Sequence, residues 1–373
     1  MKVLMLSTDQ RIFDERSEVR QRMIEYGSLF EELHIVVYTG VVSKKETRLS
    51  HTVFAYPTQT RFREFYFFDA YRLSSFLIRN RHLSVITAQD PFETGLVGYL
   101  LKKKFHVPLQ LQIHTDFLSP YFRSESLLNR VRVWLARYLV RRADGIRVVS
   151  ERIRQSFLKK LGLPESLIVV LPIFVEPKNF FEGRAKFNLR EQYPGHDFII
   201  LMVSRLTSEK NIPLALQALS ASREEFSKTL LVIVGDGPER QSLQTLASKL
   251  GLGANVQFLP WTDIGNEYYR TADVFLITSN YEGYGRTAIE AIRSGVPVVM
   301  TDVGLAGEIV VNEETGLVVP VGNAAKLMDA LRVLHHDPGL RKQLATAAKE
   351  RLKKLLSKEQ YLERYKAALN SLL

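Results

Sequence analysis

The sequence predicts an α/β protein of two domains, each built on a parallel sheet covered on both faces. The first observation behind this is alternation. Short apolar, β-rich runs recur along both halves of the chain, with helix-like stretches between them. The second is a break. Leu171-Pro-Ile-Phe-Val-Glu-Pro177, with a following Gly183 and a polar run to Asp197, reads as a linker. The third is size: 373 residues, 46% hydrophobic and 10% aromatic, are enough for two ordinary cores.

The elements follow in order. Val3–Ser7 is a first strand, and Glu15–Phe30 a helix. His34–Tyr38 and Thr52–Tyr56 are strands, and Phe65–Ile78 is a helix. Val85–Ala88 precedes a helix over Thr94–Phe105. Leu109–Ile113 is a strand, Leu127–Val140 a helix, and Ile146–Val149 the strand that closes the first half. The second half restarts at Phe198–Val203. Leu230–Val234, Val256–Leu259, Val274–Ile277, Val298–Met300 and Leu317–Val319 continue it, with helices between. Asp337–Leu373 is helix-rich. The predicted division is 1–171, a linker over 172–197, and 198–354.

Composition removes several classes. The chain has no cysteine, so disulfides, thiolate catalysis and Cys-ligated zinc are excluded. No apolar run reaches the length of a bilayer span, and Met1–Ser7 has too short an apolar core for a signal peptide. A cytoplasmic location is the expectation. Charge is lopsided. Residues 1–180 hold 28 Lys and Arg against 18 Asp and Glu, and the rest hold 23 against 22. Within the basic half, Tyr121–Lys160 carries 11 basic and 3 acidic residues. Such a half implies an anionic partner: nucleic acid, an acidic bilayer or an acidic substrate.

The most specific motif is Glu282-Gly-Tyr-Gly-Arg-Thr-Ala-Ile-Glu290, followed by Ala291-Ile-Arg-Ser-Gly-Val-Pro-Val-Val-Met300. Gly283 and Gly285 turn the chain out of a buried strand, and Thr287–Ser294 reads as the next helix, ending at Gly295. The turn exposes backbone N–H groups at a helix N-terminus, around Arg286 and Thr287, where phosphate binds readily. A carboxylate on either side suits a ligand with hydroxyls at both ends, as in a nucleotide-sugar. Taken alone, Glu290 is an ordinary helical residue and the glycines are turn chemistry. Assembled, the stretch resembles the retaining GT-B glycosyltransferases of the glycosyltransferase family 4 type.

Further pieces match that resemblance. Ser204-Arg-Leu-Thr-Ser-Glu-Lys-Asn211 follows a strand and carries Arg205 and Lys210. An isolated pair of this kind is usually two solvated loop charges. Here it matches the family's diphosphate-binding Arg and Lys. Gly235-Asp-Gly-Pro-Glu239 is a plain strand-to-helix turn that the family sets beside the nucleotide. Trp261 lies where the family seats the nucleobase, although an aromatic there also suits core packing. In the first half His114 ends a strand. A lone His is more often structural, but the family carries one here, near the donor sugar. Asp90 ends the preceding strand and joins it on the acceptor side, or simply caps the next helix. Where many relatives have a Gly-Gly loop after the first strand, this chain has Thr8-Asp-Gln-Arg-Ile-Phe-Asp-Glu-Arg16. Asp9 and Arg16 are therefore candidates to shape the acceptor side, or Arg16 to reach a phosphate.

The resemblance implies a GT-B fold, two Rossmann-like domains facing across a cleft. It also implies that a C-terminal helix, about 355–373, crosses back onto the N-terminal domain. The implied activity is hexosyl transfer from a nucleoside-diphosphate sugar, UDP or GDP, to a glycan or lipid-linked acceptor, in cell-envelope polysaccharide or glycolipid synthesis. Arg205 and Lys210 neutralise the diphosphate, Glu290 holds the ribose, Glu282 the hexose, and Gly285, Arg286, Thr287, Gly235 and Trp261 complete the donor site. Glu282, His114, Arg205 and Lys210 form the catalytic set. No separate cofactor is expected. No Asp-x-Asp pair is present, so no metal-bridged donor is expected. The alternatives are an epimerase or phosphorylase on the same architecture, and a nucleic-acid-binding protein, for which pI ≈ 9.6 is the only signal. Arg61–Arg72 and the helix through Arg81 mix basic and aromatic residues. They suit either an anionic membrane surface, with the protein peripheral on its inner face, or a core-facing helix with solvated arginines.

Overall fold

A computed structural model describes residues 1–40, 46–60, 62–176, 187–261 and 265–373. The chain divides into two compact units, Met1–Pro172 with Leu356–Leu373, and Ile173–Leu355. Both are Rossmann-like, a twisted parallel sheet with helices on its faces.

The first unit opens with β1 (Lys2–Ser7), α1 (Glu18–Gly27), β2 (Glu32–Val37), a two-residue β3 (Thr47–Arg48) and β4 (Val53–Pro57). It continues with α2 (Tyr66–Arg81), β5 (Val85–Ala88), α3 (Glu93–Phe105), β6 (Leu109–Ile113), α4 (Pro120–Glu125) and α5 (Leu127–Val140). Then come β7 (Gly145–Val148), α6 (Glu151–Leu161) and β8 (Ile168–Val170). The strand order is β3-β4-β2-β1-β5-β6-β7-β8, parallel except for β3 against β4. Central strands are buried on both faces, which is why they read as unbroken apolar runs.

Three departures from the sequence reading have local causes. The sheet does not close at Val149, because α6 and β8 extend it. Ser150 caps α6 and Gly162, at φ +62°, ends it. The first helix begins at Glu18 rather than Glu15, because the Ser17 side chain accepts from the Arg20 N–H. Within the expected linker, 177–186 lie outside the described residues, and α7 (Leu189–Gln192) already belongs to the second unit.

The second unit runs β9 (Phe198–Val203), α8 (Ile212–Ala221), β10 (Thr229–Val234), α9 (Arg240–Lys249), β11 (Val256–Leu259) and α10 (Gly265–Thr271). It continues through β12 (Val274–Ile277), α11 (Arg286–Arg293), β13 (Val298–Thr301), β14 (Leu317–Val319), α12 (Ala324–His336) and α13 (Pro338–Leu352). The order β11-β10-β9-β12-β13-β14 reverses direction between β9 and β12. The first sheet reverses likewise between β1 and β5. Ligands of open α/β sheets bind outside the carboxyl ends of strands at such reversals.

The last helix, α14 (Lys358–Asn370), starts with a Ser357/Gln360 capping box and packs on the first unit. Tyr365 stacks on Tyr26 with ring centroids 4.4 Å apart. Gln110 Nε2 donates to the Ala368 carbonyl at 3.0 Å, and Lys358 pairs with Glu25 at 2.8 Å. The centre of this contact is Arg147 of β7, 2% exposed. Its guanidinium donates to the carbonyls of Leu171 and Pro172, to Gln112 Oε1 at 2.9 Å and to the Tyr361 hydroxyl at 2.8 Å. Its Cζ also lies 5.2 Å from the Tyr365 ring centroid. Among the described residues these hydrogen-bond partners are all neutral oxygens.

Candidate active site

In the second unit the reversal of strand order brings together two loops far apart in sequence, one after β9 and one after β12. Lys210 Nζ lies 2.5 Å from Glu282 Oε1, with each side chain 15% exposed. Ser279 Oγ donates to the same carboxylate oxygen at 2.9 Å. The backbones are laced as well. Thr278 Oγ1 donates to the Lys210 carbonyl, Asn211 Nδ2 to Asn280 Oδ1, and the Asn280 N–H to the Glu209 carbonyl. Asn211 sits at φ +44°, a left-handed conformation that Asn tolerates better than most residues. Lys210 is therefore a positioned cation. Arg205 is not directed at the same point. It pairs with Glu209 at 3.1 Å and remains 77% exposed. An exposed pair of that kind holds its partners weakly, so the guanidinium is free to turn to another anion.

Gly285 precedes α11 at φ +99° and has no side chain to cap it. A helix N-terminus of this kind, opening on a glycine, is positively polarised and attracts an anion. One turn further on, Glu290 accepts from the buried Tyr269 hydroxyl at 3.0 Å, and Arg286 Nη2 lies 4.0 Å away. Burial and the adjacent Glu290 push the Tyr269 phenol well above its ordinary value, so it stays a donor that fixes the carboxylate.

Two glycines here are steric requirements. A Cβ on Gly235 would stand 1.8 Å from the Ser204 carbonyl oxygen, beneath the Arg205 loop. A Cβ on Gly304 would stand 2.6 Å from the Tyr284 carbonyl oxygen and 2.9 Å from the Glu282 Cβ. Trp261 is 59% exposed, so core packing does not explain it.

In the first unit the candidates line the carboxyl ends of β1, β5 and β6. Asp9 caps a short turn and is bound by Arg11, whose Nη2 lies 2.7 Å from Oδ2. Burial pushes the Asp9 carboxyl up, but hydrogen bonds and charge from Arg11 outweigh it and the group ends below its ordinary range. Arg16 is exposed, with its backbone N–H on Asp14. Asp90 accepts from the N–H groups of Phe92 at 2.8 Å and Thr94 at 3.3 Å, the bonds of a local cap for α3. Burial pushes its carboxyl up to about 6 against those bonds. His114 follows β6 with Nε2 at 3.3 Å from Gln112 Oε1. Burial, then the charges of Arg147 and Arg22, hold its imidazole down at about 3. At neutral pH the ring is uncharged. It is a hydrogen-bonding group there and not the proton carrier that an ordinary histidine would offer.

The sequence reading missed Ser279, Tyr269 and Gly304. Ser279 was legible as a polar residue just past β12, three positions before Glu282. Gly304 follows β13 as the other site loops follow their strands. Tyr269 left no signal, since only the fold sets α10 beside α11.

Two Rossmann-like units with polar loops at their strand-order reversals are the architecture of the GT-B fold. A profile described as glycosyl transferases group 1 matches residues 185–351, and one described as glycosyltransferase family 4 matches 31–179. Between them they account for most of the chain, which belongs to the family 4 type of GT-B glycosyltransferases. The chain is 28% identical over 260 residues to an alpha-D-kanosaminyltransferase of Streptomyces kanamyceticus, covering 67% of each. It is 32% identical over 208 residues to the GDP-mannose-dependent alpha-(1-6)-phosphatidylinositol monomannoside mannosyltransferase of Mycolicibacterium smegmatis, covering 52% of this chain and 54% of that one. The sucrose-phosphate synthase structure from Thermosynechococcus elongatus superposes with a TM-score of 0.83 at 20% identity, covering 100% of this chain and 99% of that one.

Proposed function

We propose that the protein transfers a hexose-type sugar from a nucleoside-diphosphate sugar, of UDP or GDP, to a glycan or lipid-linked acceptor, in cell-envelope polysaccharide or glycolipid synthesis, with retention of configuration. The observation that carries this reading is the Lys210–Glu282 pair, held at the strand-order reversal just before the start of α11. The sugar C1–O bond to the diphosphate breaks, the acceptor oxygen bonds to C1 from the same face, and a leaving phosphate oxygen takes the acceptor's proton. Lys210 and Arg205 stabilise the charge that grows on the diphosphate. Glu282 receives a hexose hydroxyl and Glu290 the ribose hydroxyls, while Trp261 lies beside the base. Gly235 keeps the Arg205 loop in place. His114 accepts a hydrogen bond from the donor sugar, and Asp9, Arg16 and Asp90 face the acceptor.

Glu290→Gln is expected to weaken binding of the bare nucleoside diphosphate more than Glu282→Gln does. That ligand has a ribose and no hexose. Calorimetry with UDP and GDP measures both losses, and a larger loss at Glu282 overturns the assignment. An epimerase or phosphorylase on this fold is separated by its product, since neither joins the sugar to a glycan or lipid acceptor.

The acceptor side we place at an anionic membrane surface. On α5 the residues Leu127, Leu128, Val131, Trp134 and Tyr138 form an outward stripe, with Leu127 at 75% and Trp134 at 69% exposure. Exposed Arg130, Arg137, Arg141 and Arg142 flank it. On and just before α2, Phe62, Phe65, Phe68 and Phe76 also point outward, while Ala70, Ser74, Leu77 and Ile78 are buried. The aromatic run is therefore not a core-facing one. No helix among the described residues is long and apolar enough to cross a membrane. An apolar stripe between cations instead fits the boundary between headgroups and acyl chains, where each Lys or Arg contributes roughly 1 kcal/mol. The protein is expected to float with vesicles containing anionic lipid at low salt and to retain part of that binding at high salt. Leu127→Ser with Trp134→Ser should remove the retained part. Absence of flotation at low salt refutes the placement.

A further inference from the structure

The buried cluster under α14 reaches the candidate active site through one side chain. Gln112, 2% exposed, stands between Arg147 and His114. Its amide orientation is fixed by chemistry. Arg147 is only a donor, and its Nη1 lies 2.9 Å from Gln112 Oε1, so the oxygen must face it. The Gln112 amide nitrogen then donates to Thr87 Oγ1 at 2.8 Å and to the Tyr365 hydroxyl of α14 at 3.2 Å. The same Oε1 lies 3.3 Å from His114 Nε2. A carbonyl oxygen cannot donate, so a neutral His114 must carry its proton on Nε2 and leave the lone pair on Nδ1.

We propose that Gln112 is a positioning residue: anchored by Arg147 and by Tyr365 of the C-terminal helix, it sets His114 in the Nε2–H tautomer and so presents Nδ1 as a hydrogen-bond acceptor for a sugar hydroxyl bound at the carboxyl end of β6. The last clause rests on the glycosyl-transfer reading, and the tautomer itself does not. The cations acting on the ring are Arg147 on β7 and Arg22 on α1, and both oppose its protonation. The tautomer is therefore held without a competing imidazolium. An acceptor at Nδ1 selects for a sugar hydroxyl and against an anionic oxygen, which a neutral lone pair repels.

The test is long-range nitrogen–proton correlation spectroscopy on the full chain labelled at its 8 histidines, without donor, with His114→Asn supplying the assignment. The wild type should show His114 neutral with its proton on Nε2, unchanged from about pH 5 to about pH 8. Gln112→Leu should give a mixture of tautomers. Gln112→Glu, which sets a carboxylate beside the ring, should raise the His114 pKa by about one unit or more. Gln112→Leu should also lower kcat more than it changes KM for the donor. A wild-type proton on Nδ1, or an unmixed Nε2–H in Gln112→Leu, overturns the proposal. If the tautomer is as stated but His114→Asn keeps wild-type kcat and KM, the sugar contact is wrong and the positioning of the ring stands.

Discussion

Lys210→Ala is expected to cut turnover at least tenfold with the fold intact, and Arg205→Ala to do the same by a different route. Lys210 is held by Glu282 and by the lacing of the two loops, so its charge is in place before the donor arrives. A preorganised cation stabilises a leaving diphosphate most when negative charge peaks, which lowers the barrier and not only KM. Tenfold in rate is about 1.4 kcal/mol, a modest demand on one such contact. Arg205 has to leave Glu209 first, so its loss should also raise KM for the donor. Lys210→Ala carries a second cost. Glu282 loses its cation and keeps Ser279, and a partly buried carboxylate stripped in this way costs about 1–3 kcal/mol. The double variant Lys210→Ala with Glu282→Gln should recover that stability without recovering turnover. Steady-state kinetics with circular dichroism as the control decide the matter. Wild-type rates in both single variants remove the phosphate assignment.

Arg147→Ala is expected to loosen α14 from the first unit by at least about 3 kcal/mol. It removes four hydrogen bonds, takes their donor from the Leu171 and Pro172 carbonyls at about 1–3 kcal/mol each, and opens a cavity beneath two tyrosine rings, while Tyr361 keeps Tyr26 and Gln112 keeps His114. Hydrogen exchange reads this locally. Amides of α14 should lose about two decades of protection while peptides from β9 and β10 keep theirs, since local opening is set by local free energy. Tyr361→Phe removes the bonds to Arg147 and Tyr26 but leaves the other Arg147 contacts, and should cost less than Arg147→Ala. Unchanged protection over α14 would show that the helix is held by its apolar contacts alone.

The fold was legible wherever a strand is buried on both faces. Val85–Ala88, Leu109–Ile113 and Val274–Ile277 were read at their observed bounds, because continuous apolar runs between turns have few other uses. The stretch from 151 to 170 was not read, although Ser150 and Gly162 mark α6 in the sequence. Its face is mostly charged, and β8 is a short edge strand with a half-exposed tail. In the candidate site, the placing of Glu282, Lys210 and Glu290 on loops and a helix after strands followed from local pattern. Their partners did not. Lys210 and Glu282 are 72 positions apart, and only the order of the strands makes them neighbours. The neutral state of His114 was also out of reach, because it depends on Arg147 and Arg22, which lie on other elements.

The first unit is assembled from two stretches of chain with the whole of the second unit between them. During synthesis the whole of the second unit is therefore made before residues 358–370 exist. The usual order, in which the N-terminal domain is finished first, is reversed here. Through that interval Arg147 lacks the Tyr361 hydroxyl, Gln110 lacks the Ala368 carbonyl, and the surface beneath Tyr365 stands open. The nascent protein thus carries this open surface late in synthesis, until α14 covers it.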